Sequence, residues 1–118
     1  LHSRTSRSRN EERLRNMKWK IKYSDQARRD IRDIYEYLAY EQHEPEMAAE
    51  QVQKIMKSIR QLDEMPMRHP IYREEPWKNQ GVRYYPEGKQ LVFYQVEREK
   101  RTVNIVRVMN ERRDKRGK

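Results

Sequence analysis

The first regular pattern of polar and apolar residues spans residues 18–23. Lysines alternate there with Trp19, Ile21 and Tyr23, and a period of two residues is typical of a half-buried β-strand. From Ser24, a favourable helix N-cap, apolar residues recur at helical spacing through about residue 43. The pattern therefore predicts a strand that is followed directly by an amphipathic helix.

A second amphipathic helix follows after a very short break. Glu44-Pro45 interrupts the first helix, and proline suits the first turn of the next one. The apolar positions of the second helix repeat at alternating steps of four and three residues and end before Met65-Pro66: Ala48, Val52, Ile55, Ile59 and Leu62. A break this short favours an antiparallel helical hairpin.

The remainder of the chain predicts a long loop and three strands. Residues 65–81 contain three prolines and a glycine, a composition typical of a loop. Strands are predicted at about 82–86, 90–96 and 102–109, with a tight turn at Glu87-Gly88-Lys89. The element order is then β-α-α-β-β-β. It predicts an α+β fold in which the helical hairpin packs on one face of a curved, mostly antiparallel four-stranded sheet.

Both faces of the predicted sheet carry apolar residues. Val92 and Tyr94 alternate with Leu91 and Phe93, whereas two helices can cover only one face. An apolar face without a cover of its own favours a protein partner. The alternative is that loops and tails of the chain fold over it.

Composition sets limits on the class of protein. The 118 residues suffice for one domain with a modest core. The chain has no cysteine and only three scattered histidines, so we expect an intracellular protein without disulfides, metal or other cofactor. No apolar run approaches a membrane span, and we expect no membrane partner. Residues 1–16 are predicted to be a disordered basic leader or an artificial extension, residues 17–110 the folded domain, and residues 111–118 a basic tail.

The charge is unevenly distributed along the chain. The net charge is +9, yet residues 25–64, which hold the predicted helices, are net acidic. The predicted strands and both termini are net basic. A charge division by structural element favours an anionic partner for the basic part. For the acidic part we expect only a solvated surface.

The ordered set of motifs resembles the RelE/ParE family of bacterial type II toxins, over about residues 17–114. The resemblance begins with the strand that ends in Tyr23 and includes Asp30-Ile31 and Tyr37-Leu38 in the predicted first helix. It continues through Met65-Pro66, Glu75-Pro76, Gly81-Val82-Arg83 and Phe93-Tyr94, and is strongest in Ile105-Val106-Arg107-Val108 followed by Arg112-Arg113-Asp114. The order and spacing of these motifs are fairly specific to the family, although not to a target within it.

The resemblance implies a cytoplasmic growth-inhibiting toxin, of the kind also called a plasmid stabilisation protein, which a cognate antitoxin neutralises. RelE-like members cut mRNA on the ribosome without a metal, whereas ParE-like members act on DNA gyrase and are not nucleases. The expected partners are therefore the antitoxin together with ribosome and mRNA, or alternatively gyrase.

Metal-independent RNA cleavage needs a general base, a general acid and cations for the phosphorane charge. Arginine suits the last role because it is planar and permanently charged. By resemblance Arg83 is the first candidate, and Arg107 and Arg112 follow. For Arg107 an ion pair within the fold is an equally good interpretation. Arg113 and Lys115 in the basic tail are predicted to attract RNA.

The acid and base are less clear from the sequence. Glu75 resembles the catalytic-loop glutamate of YoeB-like members, and Lys78 is predicted to bind RNA. Tyr84 and Tyr94 can stack on a base, although strand tyrosines more often pack in the core. His69 is expected to be an ordinary turn histidine.

One departure from the family pattern leaves the target open. YoeB-like members end the last strand in His-Tyr, and Met109-Asn110 stands there in this chain. On balance the sequence favours ribosome-dependent mRNA cleavage through Glu75, Lys78 and Arg83. The alternatives are a ParE-like inhibitor of gyrase and a degenerate member that binds only its antitoxin.

Overall fold

The structure is a computed structural model that describes residues 18–111. The predicted leader, Met17 and residues 112–118 lie outside the described residues. The elements follow the order strand, two helices and three strands: β1 Lys20–Tyr23, α1 Asp25–Glu36, α2 Pro45–Arg60, β2 Arg83–Glu87, β3 Gln90–Glu97 and β4 Thr102–Asn110. The predicted order is confirmed. None of the helices in residues 18–111 is long and apolar enough to span a membrane.

The four strands form one mixed sheet in the order β1-β4-β3-β2. β1 pairs with β4 in parallel, whereas β3 pairs antiparallel with both β2 and β4. The ladder between β3 and β4 changes register at Phe93/Tyr94, and such an irregularity bends a strand and increases its twist. The predicted fold class is thereby confirmed.

The helical hairpin starts from a cap that also joins it to the sheet. The Ser24 hydroxyl oxygen accepts a hydrogen bond from the Ala27 N–H at 2.9 Å, which satisfies one of the unpaired donors in the first turn of α1. The same hydroxyl donates to the Val106 carbonyl at 2.9 Å. The start of α1 is therefore fixed against β4.

The first helix does not continue to residue 43 as an α-helix. It passes into a π-helical turn at Tyr37–Glu41, where the Gln42 N–H donates to the Tyr37 carbonyl at 3.0 Å. His43 then takes a left-handed φ of 56°, and Pro45 occupies the first turn of α2. The sequence predicted the break correctly, but its periodicity gave no sign of the wider turn.

The main core lies between the hairpin and one face of the sheet. It is formed by apolar residues from both helices and from β2, β3 and β4: Ala27, Ile34, Ile55, Ile59, Leu62, Tyr85, Val92, Tyr94, Val103, Ile105 and Val108. Burying each large apolar side chain contributes roughly 1.5–3 kcal/mol. This face of the sheet is called the helix face below.

A second, smaller core covers the opposite face, here called the loop face. Val82, Leu91 and Phe93 are buried there. The loop that precedes β2 supplies the cover: the Trp77 ring centroid lies 4.5 Å from that of Phe93, and the Tyr72 centroid 5.1 Å from it. The preference for a partner over this face was wrong at these residues, because the aromatic side chains of the loop had no periodicity that would reveal their packing.

Candidate functional site

Arg83, the leading sequence candidate, begins β2 on the helix face of the sheet. Strand alternation places it on the same side as Tyr85. One of its guanidinium nitrogens, Nη1, donates to the His69 carbonyl at 2.7 Å and to the Met67 carbonyl at 3.2 Å. Arg83 is half-buried. It therefore ties the start of the loop to the sheet.

His69 stands beside Arg83 and makes more contacts than a turn histidine needs. Its ring stacks on Tyr85 with centroids 4.5 Å apart and an interplanar angle of 22°. Arg68 Nε donates to its Nε2 at 3.4 Å. Burial lowers the pKa of His69, and the Arg68 charge lowers it further. The structure thus adds a neutral imidazole to the group of candidates, in a position that only the packing of the loop reveals.

The two tyrosines predicted to bind RNA occupy opposite faces. Tyr94 is fully buried, and its hydroxyl donates to the Pro66 carbonyl at 2.6 Å. Burial raises its pKa to about 12, so it is neither a proton donor of useful acidity nor open to a stacked base. Tyr84 lies on the loop face, where its ring stacks 6.0 Å from Phe93. Both tyrosines pack within the fold.

Arg107 forms an ion pair with Asp30 of α1. Its Nε donates to Asp30 Oδ2 at 2.8 Å and its Nη2 to Oδ1 at 3.1 Å. The Val108 N–H donates to Oδ2 at 2.9 Å. The pairing between β1 and β4 ends at Tyr23, which lies opposite Ile105. Beyond that point the Asp30 carboxylate takes the place of a β1 residue as hydrogen-bond partner of β4. The ion-pair interpretation that the sequence left open is the one observed.

The environment of the pair keeps both groups charged. Burial pushes the pKa of Asp30 upward, but hydrogen bonds from Arg107, Val108 and Gln26 outweigh burial and leave the pKa below its ordinary value. The hydrogen bond to Asp30 raises the pKa of Arg107. The Arg107 guanidinium therefore uses Nε and Nη2 in a bidentate contact with Asp30 within the fold.

Glu75 and Lys78 lie in a turn on the loop face. The Glu75 carboxylate accepts a hydrogen bond from the Asn79 N–H at 3.2 Å, and the Lys78 N–H donates to the Glu74 carbonyl at 2.9 Å. Both side chains are exposed. Trp77, between them in sequence, packs on Phe93. Among the described residues no hydrogen bond or ion pair joins the side chain of Glu75 or Lys78 to that of Arg83.

The remaining predicted site residues, Arg112, Arg113 and Lys115, lie outside the described residues. The described part of β4 ends beside the β2–β3 turn, where the Glu111 N–H donates to the Lys89 carbonyl at 2.8 Å. Within residues 18–111 no group of three or more histidine, aspartate or glutamate side chains is placed to hold a metal ion.

Comparison with known proteins identifies the family. The family model described as the ParE toxin of the type II toxin–antitoxin system parDE matches residues 21–115, which is most of the chain. This protein is therefore a toxin of the type II toxin–antitoxin class. Within that class it belongs to the ParE toxin family.

Solved structures of two toxin–antitoxin systems share the fold. A chain of the chromosomal ParDE system from P. aeruginosa matches with a TM-score of 0.63 and 21% identity, over 80% of this chain and 97% of that one. A chain of the RelBE2 toxin–antitoxin complex from Mycobacterium tuberculosis matches with a TM-score of 0.57 and 21% identity, over 79% and 98%. No curated protein matches the sequence.

Proposed function

We propose that this chain inhibits bacterial growth by binding DNA gyrase, without nuclease chemistry of its own. The observation that supports this proposal is that each of the predicted nuclease side chains is engaged in its own contact within the fold. Arg83 donates to two backbone carbonyls, Arg107 is paired with Asp30, and the Glu75 carboxylate accepts from the Asn79 N–H. RNA cleavage requires acid, base and cation within hydrogen-bond reach of one phosphate.

The family supports the same proposal. ParE-like toxins, by the resemblance described above, act on gyrase and cleave no RNA. The absence of His-Tyr at Met109-Asn110 removes the acid pair of the nuclease branch. An inhibitor that works by binding needs a stable, shaped surface and does not need perturbed acid–base groups.

We further propose that a cognate antitoxin neutralises the chain in the cytoplasm. Two solved structures similar to it come from toxin–antitoxin systems. On the loop face Val106 and Met109 are only partly buried against the second core, which leaves apolar surface there for a bound segment. We expect a partner segment to extend this core next to Met109.

One observation favours ribosome-dependent mRNA cleavage as the second candidate. Arg68, His69 and Arg83 lie side by side at the end of the hairpin, and Arg68 is exposed. A neutral imidazole beside the Arg68 guanidinium, with the Arg83 guanidinium on the backbone carbonyl of the same histidine, combines a proton acceptor with charges suited to phosphate. In this candidate His69 replaces Glu75 as the base.

The two candidates differ in what the purified full chain does. We expect inhibition of gyrase supercoiling, with accumulation of gyrase-linked DNA breaks, and no new mRNA 5′ ends on translating ribosomes. Cuts in the ribosomal A site with unaffected supercoiling would decide for the nuclease. A double substitution Arg68→Gln with His69→Gln should leave gyrase inhibition intact, and Arg73→Gln, an exposed loop position, is the matched control.

A further inference from the structure

The end of the helical hairpin nearest the π turn is strongly acidic. Between Arg32 and Lys54 the chain contains neither lysine nor arginine. Six exposed carboxylates belong to this region, and they are those of Asp33, Glu36, Glu41, Glu44, Glu46 and Glu50. Residues 33–50 are called the acidic tip below. In a protein of net charge +9 this is a local reversal of sign.

The acidic tip also exposes aromatic and apolar side chains. Tyr40 is 67% exposed, Met47 52% and Tyr37 48%. Only Met65 and Ile71 are comparable large hydrophobic residues elsewhere in residues 18–111. All three lie within the same residues 33–50 as the six exposed carboxylates, whereas a merely solvated surface carries its apolar residues singly.

One backbone and one side-chain hydrogen bond close the bend within the acidic tip. The Glu44 N–H donates to the Leu38 carbonyl at 2.9 Å across the bend. Gln42 Nε2 donates to the Tyr37 hydroxyl oxygen at 3.0 Å, which fixes the orientation of that ring. π-helical turns of this kind occur frequently at functional sites. The exposed rings of Tyr37 and Tyr40 therefore project from a hydrogen-bonded π-helical turn.

The chemistry of the acidic tip selects a cationic protein segment. Lysine and arginine bind over the face of a tyrosine ring and pair with carboxylates in the same contact. Nucleic acid is disfavoured, because phosphates would meet six carboxylates at short range. Met47 adds a flexible apolar contact of the kind found at adaptable binding surfaces.

We propose that the acidic tip is a docking surface for an arginine- or lysine-rich protein segment that also carries apolar side chains. The inference does not depend on whether the toxin acts on gyrase or on mRNA. Residues 51–60 of α2 separate the acidic tip from the end of α2 that lies near the Arg68–His69–Arg83 cluster, by roughly 15 Å at about 1.5 Å per helical residue. A partner on the acidic tip therefore leaves that cluster open.

The test is a titration of the ¹⁵N-labelled full chain with a synthetic peptide of alternating arginine and leucine. We expect saturable amide shifts confined to residues 33–50, and no binding of the corresponding glutamate–leucine peptide. The double substitution Tyr37→Ala with Tyr40→Ala should weaken binding about tenfold through loss of cation–π contacts. The pair Arg28→Ala with Arg29→Ala, near the N-terminal end of α1, is the matched control and should not weaken binding.

Several outcomes would overturn the proposal. Amide shifts outside the acidic tip would contradict the proposed docking surface. So would unchanged peptide affinity in the Tyr37→Ala, Tyr40→Ala variant, provided that its circular dichroism spectrum is intact. If charge reversal at Arg112 and Arg113 in the full chain tightens peptide binding about tenfold, the chain's own tail is the occupant. Concentration-dependent dimerisation that the tyrosine pair abolishes would instead make a second copy the occupant.

Discussion

At the scale of single residues, the arginines of this toxin do structural work that their sequence context does not reveal. Arg83 and Arg107 resemble phosphate ligands by position along the chain. In the fold one holds loop carbonyls and the other holds Asp30. A sequence motif fixes residue type and spacing, whereas the partner of a guanidinium depends on contacts 14 and 77 residues away. The site was therefore predictable only as a set of candidates.

Asp30→Ala should be strongly destabilising, because it leaves Arg107 and the Val108 N–H without their partner. The expected loss in free energy of unfolding is about 2–4 kcal/mol, measured by urea denaturation. Asp33→Ala, one turn further along α1 and exposed, is the matched control and should change stability by no more than about 0.5 kcal/mol. Equal effects of the two substitutions would refute the role assigned to the ion pair.

His69 should titrate below the ordinary histidine pKa of about 6.5, because burial and Arg68 disfavour its charged form. The unfolded chain then binds more protons than the folded one between the two pKa values. Stability should fall as the pH drops from about 6.5 towards the folded pKa, and then level off. Imidazole chemical shifts measure the pKa directly, and Arg68→Ala should raise it. A folded pKa at or above the ordinary value would contradict the prediction.

At the scale of elements, periodic segments were predictable and aperiodic ones were not. The predicted strands at 82–86, 90–96 and 102–109 differ from the observed ones by a residue or so at their ends, because alternation is a local signal. The π turn and the packing of the loop on Phe93 have no such signal. The packing of the loop depends on long-range contacts of aromatic residues in a proline-rich segment. The sequence therefore favours a partner over the loop face, whereas the loop itself covers Val82, Leu91 and Phe93 there.

Trp77 should be the anchor of the loop on the sheet. Trp77→Ala removes the ring that packs 4.5 Å from Phe93, and we expect a loss of about 2–3 kcal/mol in the free energy of unfolding. Cleavage by trypsin after Arg73 or Lys78 should become faster while the helices persist. Ile71→Ala, an exposed side chain in the same loop, serves as control. Unchanged proteolysis in the tryptophan variant would show that other contacts hold the loop.

At the scale of the whole molecule, the hairpin is electrically divided. One end is basic and is formed by Arg28, Arg29 and Arg32 on α1 and by Lys57 and Arg60 on α2. Burial raises the pKa of Tyr23, and the charges of Arg60 and Arg28 both oppose this rise. The acidic tip occupies the opposite end. The screening length at physiological salt is about 8 Å, so the two ends act on their surroundings independently. Net charge alone therefore describes this protein poorly.

Heparin chromatography can test this division. Arg28→Ser with Arg32→Ser should elute at lower salt than the unmodified protein, because it removes charges that contact the polyanion. Glu46→Gln with Glu50→Gln should elute at the same salt, although it raises the net charge by the same amount that the arginine pair lowers it. Later elution of the glutamine pair would mean that net charge governs binding and that the ends are not independent.

The carboxylate of Asp30 at β4 has one more consequence, for self-assembly. A sheet that is open at its edge invites another chain to add a strand, which leads to aggregation. The Val108 N–H, which an incoming backbone would need on this side of β4, already donates to Asp30, and the adjoining Arg107 places a charge beside it. A fibril-forming segment would have to break a partly buried ion pair before it gained its first hydrogen bond there. The substitution that destabilises the monomer at this position should therefore also expose it to aggregation.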